Sequence, residues 1–467
     1  MQSEITRRRF LSSATAAALV RPLWCGAAET PRPGRPNIIF LLADDQRDDM
    51  LGCAGHPIIK TPVIDRLAGH GVRFRNAFVT TPICAASRAS ILTGLTERAH
   101  AYTFGKPPVL KVYGQSSYPL RLKEAGYRTG FFGKYGVKMQ VDPAEMFDEF
   151  AIQDRPYQVG GGRHIDEINA ERAMAFLRSS GKDRPFCLSV SFSSPHGEDG
   201  NKKPGQHEHY PVIPAALDLY QGVKVPAPRL NGASVFDELP DFLKRSEGRV
   251  RFQSYFKDPL KYQSNMQAMF GMISGIDLLI GRILEVLREQ GQDQNTVIVY
   301  AGDNGFFAGE RGLEGKWNHF EQSLRVPLII HDPRMAVTQR GRVVDSIALN
   351  IDLAATLLDY AGVGIPAHYQ GRSLVPLVRG EKVKSWRTDF LCEHLMEHAR
   401  IPKWEGVRDM RHMYARYFQQ SPPYEFLHDL KADPDELVNL AQDAGSKGIL
   451  EAMRKRCDAL IAQYAKA

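Results

Sequence analysis

Asn37-Ile38-Ile39-Phe40-Leu41-Leu42-Ala43, followed at once by Asp44-Asp45-Gln46, decides the fold. An almost unbroken apolar run of this length, stopped by two acids, reads as a strand buried on both faces. Residues 127–132, 186–192 and 296–301 have the same character. Helical patterns lie between them. Thr61-Pro62 opens one, with Thr61 as N-cap, Pro62 in the first turn and Gly71 past its end. Residues 262–290 form a long one, with Ile273, Ile276, Ile280, Ile283 and Leu287 on one face, a stripe that belongs to the core. Strands alternating with helices predict an α/β domain, a large and mostly parallel sheet between helices.

Outward from that sheet the pattern changes twice. Residues 196–260 are rich in Pro, Gly, His and charge and read as a long surface excursion, of the kind that builds binding sites. Beyond about Arg379 come short strand-like pieces at 388–393, 413–418 and 424–429. A closing helix follows from about Gly448, with Leu450, Met453, Cys457, Leu460 and Ile461 inward. This predicts a small C-terminal α+β subdomain with an antiparallel sheet over residues 381–467, after a catalytic domain over 36–380.

The N-terminus reads as an export signal over residues 1–27. Thr6-Arg7-Arg8-Arg9-Phe10-Leu11 leads into an apolar run to Val20, and the small residues Gly26, Ala27 and Ala28 follow. The paired arginines point to the twin-arginine route, hence to a periplasmic or extracellular protein. The run is far short of the roughly 20 residues a membrane span needs, so no stable membrane anchor is expected. Cleavage near Ala27 removes Arg7, Arg8, Arg9, Arg21 and Glu4, and the net charge falls from +7 to +4. With 43% hydrophobic and 24% charged residues the chain is ordinarily globular. No basic stripe carries interleaved aromatics, which argues against a nucleic-acid partner. Cys53, Cys187, Cys392 and Cys457 could pair after export, and their spacing does not decide it.

Ligands of an open α/β sheet bind beyond the carboxyl ends of its strands. Here the four apolar runs are followed by Asp44-Asp45, Lys134, His196 and Asp303-Asn304. One such residue is usually a turn or cap residue; four together predict a site. Adjacent carboxylates repel unless a cation or proton intervenes. Asp44, Asp45, Asp303 and Asn304 are all oxygen donors, a hard set suited to calcium or magnesium.

Pro82-Ile83-Cys84-Ala85-Ala86-Ser87-Arg88-Ala89-Ser90-Ile91-Leu92-Thr93-Gly94 resembles the signature of the formylglycine-dependent type I sulfatases (arylsulfatase-like) of the alkaline phosphatase superfamily. Further blocks resemble that family in its order: 36–46, 61–78, GYRTGFFGKYG at 126–136, SSPHG at 193–197, 301–330 and 424–441. The resemblance implies an alkaline-phosphatase-like fold and a sulfuric ester hydrolase. It implies that a separate formylglycine-generating enzyme oxidises Cys84, in a setting between a strand-like segment and a helix beginning near Ser87. Asp44, Asp45, Asp303 and Asn304 are then expected to hold Ca2+, before Mg2+, with residue 84 also touching the metal. The hydrated aldehyde attacks sulfur, and its second hydroxyl later expels sulfate. Arg88 is expected to orient that group and hold Asp45 and the metal cluster. Lys134, His196 and Lys316 are expected to surround the sulfate, and His196 or Lys316 to protonate the leaving alcohol.

Two positions depart from the family pattern. Ala86 stands where proline is usual, and Lys134-Tyr135-Gly136 lacks the histidine two residues after the lysine, with His100 and His319 as candidates to substitute. Three functions stay open: a sulfatase acting on a sulfated carbohydrate or other sulfate ester; a phosphonate monoester or phosphodiester hydrolase with the same site; or an inactive, calcium-holding glycan-binding protein. The 196–260 excursion and the C-terminal subdomain are expected to set the substrate.

Overall fold

In a computed structural model the described residues are 34–153, 155–199 and 209–465. The export signal expected over residues 1–27 lies outside them. Eight strands form the main sheet: β1 Asn37–Ala43, β2 Val72–Phe74, β3 Arg128–Gly133, β4 Glu149–Ile152, β5 Phe186–Ser191, β6 Thr296–Gly302, β7 Leu328–His331 and β8 Arg342–Val344. Their order across the sheet is β8-β2-β7-β6-β1-β5-β3-β4. Strand β1 is parallel to both neighbours, with Ile38 opposite Cys187 and Val297, while β7 runs antiparallel to β2 and β6. The sheet is therefore mostly parallel, as the apolar runs predict.

Both faces of β1 are covered. Ile38, Phe40 and Leu42 pack into one hydrophobic cluster, and Ile39, Leu41 and Ala43 into another. Helices α1 Pro62–His70, α2 Cys84–Thr93, α3 Ile165–Arg178, α4 Pro259–Glu289 and α5 Asp352–Tyr360 supply the cover. The Ile273–Leu287 stripe of α4 is buried, as its period requires. Thr61 precedes α1 but does not cap it. Its hydroxyl donates to Asp65, while Asp277, far along α4, accepts from the N–H of Ile64 at 2.7 Å and of Val63 at 3.2 Å. The helix α2 begins at Cys84, not near Ser87. The Ser87 N–H already donates to the Ile83 carbonyl at 3.0 Å, because Ala85 and Ala86 are strong helix formers.

The C-terminal sheet has four antiparallel strands, β9 Asp389–His394, β10 Trp404–Asp409, β11 His412–Tyr417 and β12 Tyr424–Asp429. The closing helix α6, Lys447–Tyr464, packs Leu450, Met453, Cys457 and Leu460 on it. Cys53, Cys84, Cys187, Cys392 and Cys457 are all free thiols. No helix among the described residues is long and apolar enough to cross a membrane.

Candidate active site

The ladders of the sheet run past the strand ends and fix the first residues beyond them. Asp303 N–H donates to the Ala43 carbonyl at 3.0 Å, Asp44 N–H to Ser194 at 3.1 Å, and Lys134 N–H to Ser191 at 2.9 Å. Asp45 has a left-handed backbone, φ 60°, which an aspartate tolerates better than a bulkier residue. That turn sets its N–H 3.1 Å from Asp303 Oδ1. The segment carrying His196 is braced from α3: Asp166 accepts from the Ser193 N–H, the Ser194 N–H and the Ser194 hydroxyl at 2.8, 3.0 and 2.6 Å.

All nine residues singled out in the sequence converge here. Asp44, Asp45, Asp303, Asn304, Cys84, Arg88, His196 and Lys316 are buried, and Lys134 nearly so. Lys134 pairs with Asp44, and Lys316 with Asp45. His196 Nε2 stands 3.6 Å from Asp45 Oδ2. Asn304 Nδ2 donates to Asp45 Oδ1 at 2.6 Å. Arg88 holds Asp303, with Nε donating to Oδ2 at 2.8 Å, and approaches Asp44 at 3.5 Å, rather than gripping Asp45 as expected.

Burial opposes every charge in this cluster, so its state is set by the partners. Burial raises the Asp44 carboxyl, but Lys134, His196, Arg88 and Lys316 together hold it well below the ordinary carboxylate range. Burial and the neighbouring Asp44 push Asp303 up to about 7. Burial pushes the Cys84 thiol up, against the pull of Lys134 and Lys316. Burial, Lys134 and Lys316 push His196 down. Within this cluster the buried oxygens Asp44 Oδ1 and Asn304 Oδ1 have no hydrogen-bond partner. Asp44, Asp45 and His196 also each bring a ligand-capable atom within 4.8 Å of one another. Unsatisfied acceptors on a hard oxygen set fit a divalent cation such as calcium.

Cys84 is the first residue of α2, with no side chain capping that end, and it opens into a cavity of about 460 Å³ shared with Lys134, His196 and Lys316. A larger cavity, about 620 Å³ near Arg66 and Arg340, contains none of these groups. Gly136 also lines the site with φ 69°, and a Cβ there would lie 3.1 Å from Arg88 Cδ. The missing histidine is thus matched by close packing of Arg88 on the glycine. Neither proposed substitute takes its place. His100 sits in the core between Ser90 and Tyr102, and His319 stacks among Phe320, Phe426 and His428.

The sequence reading missed several residues. The Tyr157 hydroxyl lies 3.3 Å from His196 Nδ1. Asp199 stands 3.8 Å from His196 Nε2 and accepts from Arg251 at 2.8 Å, and Arg251 also grips the buried Glu314. Asp199 and Arg251 come from the predicted excursion, where no periodicity could single them out.

The sulfatase family model matches residues 36–363, and a model for the C-terminal part of N-sulphoglucosamine sulphohydrolase matches residues 309–463. The chain belongs to the sulfatase family. This sulfatase is 28% identical to an N-acetylglucosamine-6-O-sulfatase of Bacteroides thetaiotaomicron over 89% of the chain and 84% of that protein. It superposes, with a TM-score of 0.77 and 25% identity, on a protein solved in complex with its substrate D-glucosamine-2-N,6-O-disulfate, covering 92% of this chain and 98% of that one. The phosphonate monoester hydrolase of Agrobacterium radiobacter shares the fold, with a TM-score of 0.69, 23% identity and coverage of 92% and 96%. The enzyme class of this sulfatase is that of the sulfuric ester hydrolases.

Proposed function

We propose that this sulfatase removes sulfate from a carbohydrate sulfate ester, with Cys84 converted to formylglycine and calcium held by Asp44, Asp45, Asp303 and Asn304. The observation that carries this reading is the meeting of Cys84, Lys134, His196, Lys316 and Asp45 in one cavity, with Asp44, Asp303 and Asn304 buried against them. The carbohydrate is favoured by the likeness to the glucosamine-type relatives.

Formylglycine at residue 84 would supply a hydrated aldehyde as nucleophile, and calcium held by Asp44, Asp45, Asp303 and Asn304 would supply positive charge. The other roles fall to side chains. Lys134, His196 and Lys316 bind the sulfate oxygens and stabilise charge that moves toward the leaving oxygen. His196 or Lys316 gives the leaving alcohol its proton. Arg88 holds Asp303 and Asp44 in register with residue 84. We assign maturation to a formylglycine-generating enzyme acting before twin-arginine export. Residues 36–380 form the catalytic domain, and residues 381–467 a subdomain that reaches the cavity mouth with Met396, His398 and Ile401.

Protein produced with a formylglycine-generating enzyme should hydrolyse N-acetylglucosamine 6-sulfate or a related sugar sulfate faster than a matched phosphonate monoester. Faster phosphonate cleavage would transfer the site to phosphorus chemistry. Glycan binding without any turnover would make it a binding protein.

A further inference from the structure

The outer cavity has two unlike walls. One is polar and internally paired: Arg251 with Asp199 and Glu314, and Glu247 with Arg400. The other is apolar, built of Trp317, Met396 and Ile401, which pack together beside Cys84, and Phe104 adds a further apolar ring to the lining. Trp317 stands directly after Lys316, and its backbone lies in the left-handed region at φ 83°. For a bulky aromatic residue that conformation is strained, and it persists only where the surroundings enforce it.

Those surroundings are specific. The Trp317 N–H donates to the Pro82 carbonyl at 3.2 Å, two residues before Cys84, and its own carbonyl accepts from Trp404 Nε1 at 2.7 Å. The indole packs against Ile83, Ala86, Met396 and Ile401. It also lies against the bare face of Gly315, where a Cβ would be 2.6 Å from the ring. The side chain is only half-buried, so part of the indole is left to the cavity. Phe104, 50% exposed, also lines the cavity. A fold that needed only to fill this space could do so without backbone strain. Strain that turns a large flat ring into a cavity beside the nucleophile marks a binding surface.

We propose that Trp317, with Phe104 at the lip, is the stacking platform for the apolar face of the pyranose ring that bears the sulfate, and so a specificity-determining residue. This rests on the carbohydrate reading above. The indole offers a large, rigid contact with little entropy to lose, while the polar wall is left to meet the hydroxyl edge.

The test uses mature enzyme and two ligands, N-acetylglucosamine 6-sulfate as substrate and inorganic sulfate as competitive inhibitor. Trp317→Ala is expected to raise KM for the sugar sulfate about tenfold, with the inhibition constant of sulfate unchanged within about twofold. Trp317→Phe should restore most of the loss, and Phe104→Ala, at an exposed position, should shift KM in the same direction. Parallel loss of sulfate binding in Trp317→Ala would make the residue merely structural. Unchanged KM in both alanine variants would overturn the platform while leaving the carbohydrate reading intact. A parent enzyme that cleaves 4-nitrophenyl sulfate but no sugar sulfate would overturn the carbohydrate reading and the platform together.

Discussion

Replacing His100 by asparagine should flatten the loss of stability on acidification. His100 is 2% exposed. Its Nδ1 accepts the Tyr102 N–H at 3.0 Å, so the proton of the neutral ring sits on Nε2, which meets Ser90 Oγ at 3.0 Å. The ring thereby ties the helix of Cys84 to the 100–102 loop. Protonating Nδ1 would break the Tyr102 bond and bury a charge, and burial holds the group down at about 3 from an ordinary 6.5. The folded state then binds fewer protons than the unfolded state between those values. The contribution of His100 is complete above pH 6.5 and is lost as pH falls toward 3. The limiting slope is about 1.4 kcal/mol per pH unit, so on the order of 2 kcal/mol disappears between pH 6.5 and 4.5. Asparagine keeps an acceptor for Tyr102 and carries no titrating proton. Urea unfolding of both proteins at the two pH values measures the difference of differences. Wild type should lose on the order of 2 kcal/mol more than His100→Asn. Equal losses would show that His100 is not held neutral by its burial, and the reasoning would fail.

Arg88→Ala leaves Asp303 and Asp44 buried without their guanidinium and should destabilise the fold by about 3–5 kcal/mol in denaturant titrations, with Arg88→Lys intermediate. Asp277→Ala removes the acceptor for two N–H groups of the helix Pro62–His70. It should cost about 1–3 kcal/mol without changing KM. Chelation of divalent ions should lower the melting temperature of wild type and spare Asp44→Asn, whose ion site is already weakened; equal shifts would argue against the oxygen set as the cation site.

The parts of the site carried by strand ends were legible in the sequence. Asp44, Lys134, His196 and Asp303 each follow an apolar run, and parallel strands deliver the residues after them to one edge. Cys84, Arg88 and Lys316 have no such periodic signal and were legible only through resemblance. Tyr157, Asp199 and Trp317 were hidden, because they sit on irregular backbone whose course depends on contacts distant in sequence, and Arg251 because its short helix, Glu247–Tyr255, has no apolar period to mark it. The strand Trp404–Asp409 was missed for another reason. Its Glu405 and Arg408 are buried, and they are compensated by Arg98, Arg416 and Glu321 from elsewhere in the chain. His100 and His319 looked available as catalytic histidines, yet both serve packing, the commoner fate of a histidine among apolar neighbours.

The central claim is that Cys84 becomes the nucleophile as an aldehyde. The direct test is the mass of the tryptic peptide covering residues 76–88, from protein produced with a formylglycine-generating enzyme. The account predicts replacement of the Cys84 sulfur by oxygen with loss of two hydrogens, and turnover in proportion to the converted fraction. Full turnover from a peptide that still carries the thiol would contradict it.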